Sequence, residues 1–171
     1  MVRLPSAADV PRALLILPSD AALPKMHALA MADWQWLEAR SGIARIVAAT
    51  ADKFVPQMVN FELTGGVNFQ KGCYPGQEIV ARSQYRGTLK RRAMVFEADA
   101  ELAPGQEVFH SADPAQPAGM VALAARRSGG QTAALVEVKL AALGHGSLHG
   151  GTADGPLLRL LPLPYALPND A

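Results

Sequence analysis

The chain contains a single cysteine, Cys73. An internal disulfide is therefore excluded, and a lone thiol fits a reducing cytoplasm. One thiolate also cannot hold an iron–sulfur cluster that takes four cysteine ligands, unless other ligands or chains contribute. Charge is scarce too: 18% of residues are charged and the net charge is +1. No global field therefore draws the chain to nucleic acid or membrane, and any such contact needs a local patch. No segment approaches the roughly 18–20 uncharged apolar residues of a membrane span. The opening Met1-Val2-Arg3-Leu4-Pro5 lacks the apolar run and small-residue cleavage site of a secretory signal. A cytoplasmic protein without membrane contact is expected. What is abundant is apolar material. Half of the 171 residues are hydrophobic, enough for one ordinary domain or two small ones and against wholesale disorder.

The pattern along the chain changes near residue 88. Before it, Arg12–Leu17 is a short apolar run closed by Pro18 and predicts a buried strand. Ser19-Asp20 with Pro24 just beyond is start-of-helix chemistry, and Leu23, Met26, Leu29 and Ala30 recur at helical spacing, predicting a helix to about residue 33. Trp34 and Trp36 then alternate with polar neighbours, consistent with a helix end or a short strand. From Arg91 the pattern is all-β, with candidate strands at 93–98, 107–110, 118–125, 132–138 and 157–161. Pro104-Gly105, Asp113-Pro114, Ser128-Gly129-Gly130 and Gly144–Gly151 separate them as turns. Five short strands at that spacing suggest a small antiparallel barrel or sandwich. The proline-containing tail from Pro162 is expected to run extended. The first part, opening with one strand and one helix, is too thin to bury a sheet alone. It calls for a missing N-terminal partner, on another chain or lost by truncation.

The densest chemistry lies in Lys71-Gly72-Cys73-Tyr74-Pro75-Gly76-Gln77-Glu78. The two glycines let the backbone turn sharply and come close to a ligand. Cys73 precedes a stretch from Glu78 to Arg82 able to form one or two helical turns; beside a helix start, with Lys71 and Arg82 nearby in sequence, a thiol gains reactivity. The bland alternative is a small buried hydrophobe, the commoner fate of a free cysteine. Glu78 can accept the paired N–H donors of a pterin-like amidine edge, or simply complement the helix dipole.

This run, followed by Ala81-Arg82, resembles the motif of the YgfZ-type folate-binding family, whose pattern leaves one position free, here Pro75. The approach through Phe54-Val55-Pro56-Gln57, Asn60 and Gly65-Gly66-Val67-Asn68-Phe69 is similar as well, as are Tyr85-Arg86-Gly87 and Lys90-Arg91-Arg92 downstream. The resemblance covers about residues 10–100 and is fold-level beyond. It implies an α+β chain: an incomplete ferredoxin-like α+β folate-binding module over residues 1–88, then a small antiparallel β-barrel over 89–171, as in the aminomethyltransferase of the glycine cleavage system. It implies tetrahydrofolate or a related folate as the cofactor, held through Lys71, Gly72, Tyr74, Gly76, Gln77, Glu78 and Arg82, with Cys73 as the functional thiol. The implied role is an accessory factor, rather than a catalyst, in assembling or repairing Fe–S enzymes, including those that modify tRNA. Expected partners are folate, Fe–S client or assembly proteins and the missing N-terminal half. Full-length members begin with a further α+β region that supplies much of the folate pocket, and this chain starts inside the second module. An aminomethyltransferase-like transfer ranks below this, because its acid/base carboxylate comes from that first region and its motif lacks this cysteine pattern. A fragment serving only as an interaction module is the third possibility.

Arg82, Arg86, Lys90, Arg91 and Arg92 place five cations within eleven positions. They suit a solvated basic turn more than a site for the folate glutamate tail or RNA phosphates, and direct tRNA binding is not expected. His145 and His149 have zinc-like spacing, but flanking glycines disfavour a helix and no third ligand is in view, so no metal site is expected. Trp34 and Trp36 are candidates for an aromatic wall against a pterin or, more commonly for tryptophan, for core packing.

Overall fold

A computed structural model describes residues 1–85 and 89–168, with only the backbone described at Gln84 and Tyr85. Arg86 and Gly87, part of the similarity noted above, lie outside the described residues, as does the end of the tail from Asn169. The chain is α+β, with a two-stranded ribbon and two helices preceding a closed barrel.

The barrel is formed by β3 (Arg91–Ala98), β4 (Glu107–His110), β5 (Asp113–Arg126), β6 (Thr132–Lys139), β7 (Leu148–Gly150) and β8 (Leu157–Leu161). All six are antiparallel and close in the order β3-β6-β5-β4-β7-β8. Closure leaves no open sheet edge. Side chains alternate across each strand, and β6 shows what that does. Ala134, Val136 and Val138 join Phe96, Val108, Val121, Leu148 and Leu158 in the barrel interior. Leu135 points the other way, into a second cluster with Ala44, Val59, Ala93, Val95 and Ala122, flanked by Phe54 and Phe61. Because both faces are covered, β6 reads as a nearly unbroken apolar run. At Gly119 a side-chain carbon would lie 2.3 Å from the Glu137 carbonyl oxygen, so only glycine lets β5 approach β6 there.

The five expected strands are all present, with β5 beginning earlier, at Asp113. The sixth, β7, falls inside Gly144–Gly151, which the glycines mark as a turn. Its three residues are too few to show alternation, and pairing with β4 and β8 creates it.

Residues 1–31 correct the sequence reading. The predicted buried strand over Arg12–Leu17 is instead β2 (Val10–Leu14), paired with β1 (Val2–Ala7), and only Arg12 of it is buried. Arg12 is held by Glu38 at 2.5 Å and donates to the Pro5 carbonyl. The helix predicted to run to about residue 33 is absent: residues 15–30 carry no regular element, and α1 is Met31–Arg40. Pro18 and Pro24 bracket a turn closed by the Ala21 N–H on the Pro18 carbonyl, and the apolar residues beyond have no surface to pack against. Helical spacing without a burial partner is a weak determinant. Trp34 and Trp36, read as a helix end or short strand, lie within α1, which packs on β5 and β6 through Leu37 and Ala39. The Ser128 N–H and hydroxyl both donate to Asp33, fixing the β5–β6 turn to this helix.

Candidate functional site

The Lys71–Glu78 run leads into α2 (Gln77–Tyr85). Gly76 has φ +78°, a left-handed conformation that favours glycine, and its carbonyl accepts from Ile79 and Val80 to start the helix. Among the described side chains of α2, Val80 alone is buried. The helix is also tethered through its backbone: the fully buried Gln57 donates from Nε2 to the Val80 carbonyl at 2.6 Å. Gln57 belongs to a 3-10 turn, Pro56–Val59, that lies between α2 and β3.

Between that turn and the motif runs an open groove of about 670 Å3. Phe54, Met58 and Phe61 line it together with Lys71, Tyr74 and Ile79 from the motif and α2, and Asp52 and Lys53 add charge. The Lys71 ammonium sits 4.7 Å from the centroid of the Tyr74 ring, a cation–π contact that holds both side chains. A groove of this size with apolar walls and a few charges has the makeup of a small-molecule site.

The motif divides across this surface. Lys71, Tyr74 and Gly76 line the groove; Tyr74 and Gly76 also line a shallower depression with Gln77, Glu78 and Ala81. Gly72, Cys73 and Arg82 line neither and are exposed. Cys73 is thus presented to solvent, not packed as a small hydrophobe. Trp34 and Trp36 form no wall here: Arg12 lies over Trp34, and Arg40 and Arg127 over Trp36.

The basic run is not a solvated turn throughout. Arg91 forms a forked pair with Glu137, which keeps its guanidinium protonated to higher pH, and Arg92 is buried against Glu62. Lys90 is exposed. Arg92 also donates to the Gln57 carbonyl at 3.1 Å and to Asn60 Oδ1 at 3.3 Å. Asn60 Nδ2 in turn donates to the Ala93 carbonyl and to the Tyr165 hydroxyl, which donates to the Gly42 carbonyl at 2.6 Å. Desolvation raises the Tyr165 phenol above its ordinary value. One buried polar network thereby ties the loop after α1, the tail, β3 and the Gln57 turn together, and through Gln57 it reaches the motif helix. Of these residues, sequence inspection marks Gln57 and Asn60 only through the family resemblance, and nothing marks Glu62 or Tyr165.

The histidines serve local structure. His149 contacts Ser147 Oγ and the Gly155 carbonyl, and His110 contacts the His145 carbonyl and the Ala112 N–H. Among the described residues no three His, Cys, Asp or Glu side chains gather as a metal site.

No family model matches the chain. Curated relatives do match, each described as tRNA-modifying protein YgfZ. One from Edwardsiella ictaluri is 45% identical over 73 residues, covering 43% of this chain and 22% of the relative. One from Escherichia coli O45:K1 is 34% identical over 137 residues, and one from Klebsiella pneumoniae 34% over 138; each match covers 78% of this chain and 42% of the relative. The chain spans about two-fifths of the length of these longer matches.

Proposed function

This chain is of the YgfZ type, and from that premise we propose that it is a folate-binding accessory protein of Fe–S cluster assembly or repair, supporting enzymes such as those that modify tRNA. The relatives' name concerns tRNA modification, and we carry that role to this chain through its clients rather than through direct RNA contact. We further take residues 1–88 as part of a ferredoxin-like module, residues 89–171 as the barrel domain, and the protein as cytoplasmic. No described helix is long and apolar enough to cross a membrane.

The observation that carries the proposal is the folding of the motif along an apolar groove, with Cys73 outside it. Tetrahydrofolate pairs a flat pterin and benzoyl body with an anionic glutamate. The groove offers Phe54, Phe61 and Tyr74 to the flat part and Lys53 and Lys71 to the carboxylates. Its volume, about 670 Å3, lies in the range of such sites. Bound there, the folate supplies a reduced one-carbon carrier. Gln77 and Glu78, in the adjoining depression, suit a second polar contact at its edge. An exposed thiol beside the groove suits brief ligation or redox exchange with a macromolecular partner better than permanent cluster holding.

Titration calorimetry with tetrahydrofolate in reducing buffer tests this. Binding should be measurable and should weaken about tenfold or more in Lys71→Gln or Tyr74→Ala, since each removes a principal contact. Absence of binding, or binding indifferent to both substitutions, sinks the folate assignment for this chain.

A second reading has its own support. Among the described residues, eleven of the fifteen large exposed apolar side chains lie within the first 31 positions, including Ile16, Leu23 and Met26. Exposed apolar residues so concentrated in one stretch of sequence suit an interaction surface, and favour a module completed by a partner. Light scattering of the chain alone, compared with Ile16→Ser/Met26→Ser, distinguishes this: a surface with no partner role leaves self-association unchanged.

A further inference from the structure

A second groove, sharing no lining residue with the motif groove, is built from four separate segments. It has a volume of about 650 Å3. Its sides are Pro5, Ser6 and Asp9 from β1 and the turn after it, Arg40 and Ile43 at the end of α1, Leu63 and Thr64, and the tail from Pro162 to Tyr165. Its exposed lining is about evenly polar and apolar, with Ile43, Leu63, Leu163 and Pro164 among the apolar residues and Arg40 and Asp9 as the two charges.

Arg40 lines this groove at the end of α1. Among the described residues no carboxylate lies within ion-pair distance of it. It is not needed to cap α1, because the last carbonyls are taken by Ser41 and Gly42: Ser41 N–H reaches Leu37 and Glu38, Ser41 Oγ reaches Glu38, and Gly42 N–H reaches Ala39. The guanidinium carbon lies 5.4 Å from the Trp36 ring centroid, and that of Arg127 lies 5.0 Å from the same ring. Stacking holds Arg40 in place before any ligand arrives, so less side-chain entropy is lost on binding. The second guanidinium adds positive potential, and Asp33 on the same helix is already engaged by Ser128. Asp9 also lines the groove and is exposed, in a left-handed turn with φ +62°. Its charge penalises ligands bearing two negative charges more than those bearing one.

We infer that this groove binds a small monoanionic carboxylate with an apolar body, its carboxylate on Arg40 and its body against Ile43, Leu63, Pro164 and Tyr165. Arginine is matched to carboxylate by its paired N–H donors, and the apolar body gains affinity by burial.

The test is a titration of the 15N-labelled full chain with hexanoate, followed by amide chemical shifts. Inorganic phosphate, which lacks the apolar body, and 1-hexanol, which lacks the charge, are the comparison probes. Hexanoate should shift the amides of Ser6, Ser41 and Thr64 at millimolar concentrations, more than either comparison probe at the same concentration. Arg40→Gln should weaken this about tenfold and Arg40→Lys less, as expected for loss of a charge-assisted contact. Asp9→Asn, a change in an exposed turn that asparagine tolerates, should tighten hexanoate and raise the response to inorganic phosphate. Equal shifts with hexanol, shifts outside the groove only, or hexanoate binding indifferent to both Arg40→Gln and Asp9→Asn overturn the assignment.

Discussion

The barrel and the segment before it solve the same problem by different means. In the barrel, Val95, Val108, Val121, Leu135 and Val136 are fully buried, and every strand has two neighbours. The ribbon β1–β2 has only itself to pair with, and Val2, Val10, Leu14 and Ile16 remain in water. A two-stranded ribbon is marginal on its own. Polar anchors tie the leading segment to the barrel, Asp33 to Ser128, Asn60 to Ala93 and Glu62 to Arg92, while Arg12 holds the ribbon to Glu38 of α1. Ala44, Val59, Phe54 and Phe61 also pack on Leu135 and Val95 of the barrel, and the polar contacts add directional constraints to that apolar cluster. Both grooves are lined mainly by residues that precede the barrel.

Three changes sharpen or break that contrast. The largest effect is expected from Arg92→Ala, which leaves Glu62 buried without its partner and removes donors to Gln57 and Asn60. Unfolding by urea should show a loss of about 3–5 kcal/mol; a loss below about 1 kcal/mol would mean the network is not what joins the two regions. Next, Leu135→Ala should cost about 2–5 kcal/mol, whereas Ile16→Ala, at a residue 75% exposed, should stay within about 0.5 kcal/mol. Equal costs would show that residues 1–31 bury their apolar surface in the folded monomer after all.

The smallest effect concerns Tyr165. Its phenol is raised above the ordinary value of 10.0, chiefly by desolvation. The folded state therefore holds the proton to higher pH than the unfolded state does. That stability is fully present below pH 10.0 and is lost as pH rises through the folded value. Tyr165→Phe should cost about 1 kcal/mol at neutral pH and flatten the fall in stability on the alkaline side. An unchanged alkaline slope in thermal melts would place the phenol in water and dissolve the link between tail and α1.

Much of the barrel is legible because strand-forming composition bounded by turn residues is a local property. Thr132–Lys139 and Arg91–Ala98 show their strands in composition alone, and Ser128-Gly129-Gly130 shows the turn between β5 and β6. What misled was equally local. Leu23, Met26 and Leu29 have helical spacing, yet all three are exposed in irregular chain, since spacing specifies a helix only where a surface receives its apolar face. The motif was legible as a unit, but not its division into groove-facing Lys71 and Tyr74 and outward-facing Cys73. Arg91 and Arg92 looked like solvated charge because their partners, Glu137 and Glu62, are distant in sequence.

The sequence by itself determined the α+β order, the five main barrel strands, the single thiol and the likeness of its motif to the YgfZ-type family. These follow from residue type and short-range pattern. Tertiary structure decided which residues face which groove, that Arg92 is buried and Cys73 exposed, and that Gln57 holds the motif helix. Those outcomes depend on contacts between segments tens of residues apart, where the cost of burying a charge or an amide is met by a partner that no local pattern reveals.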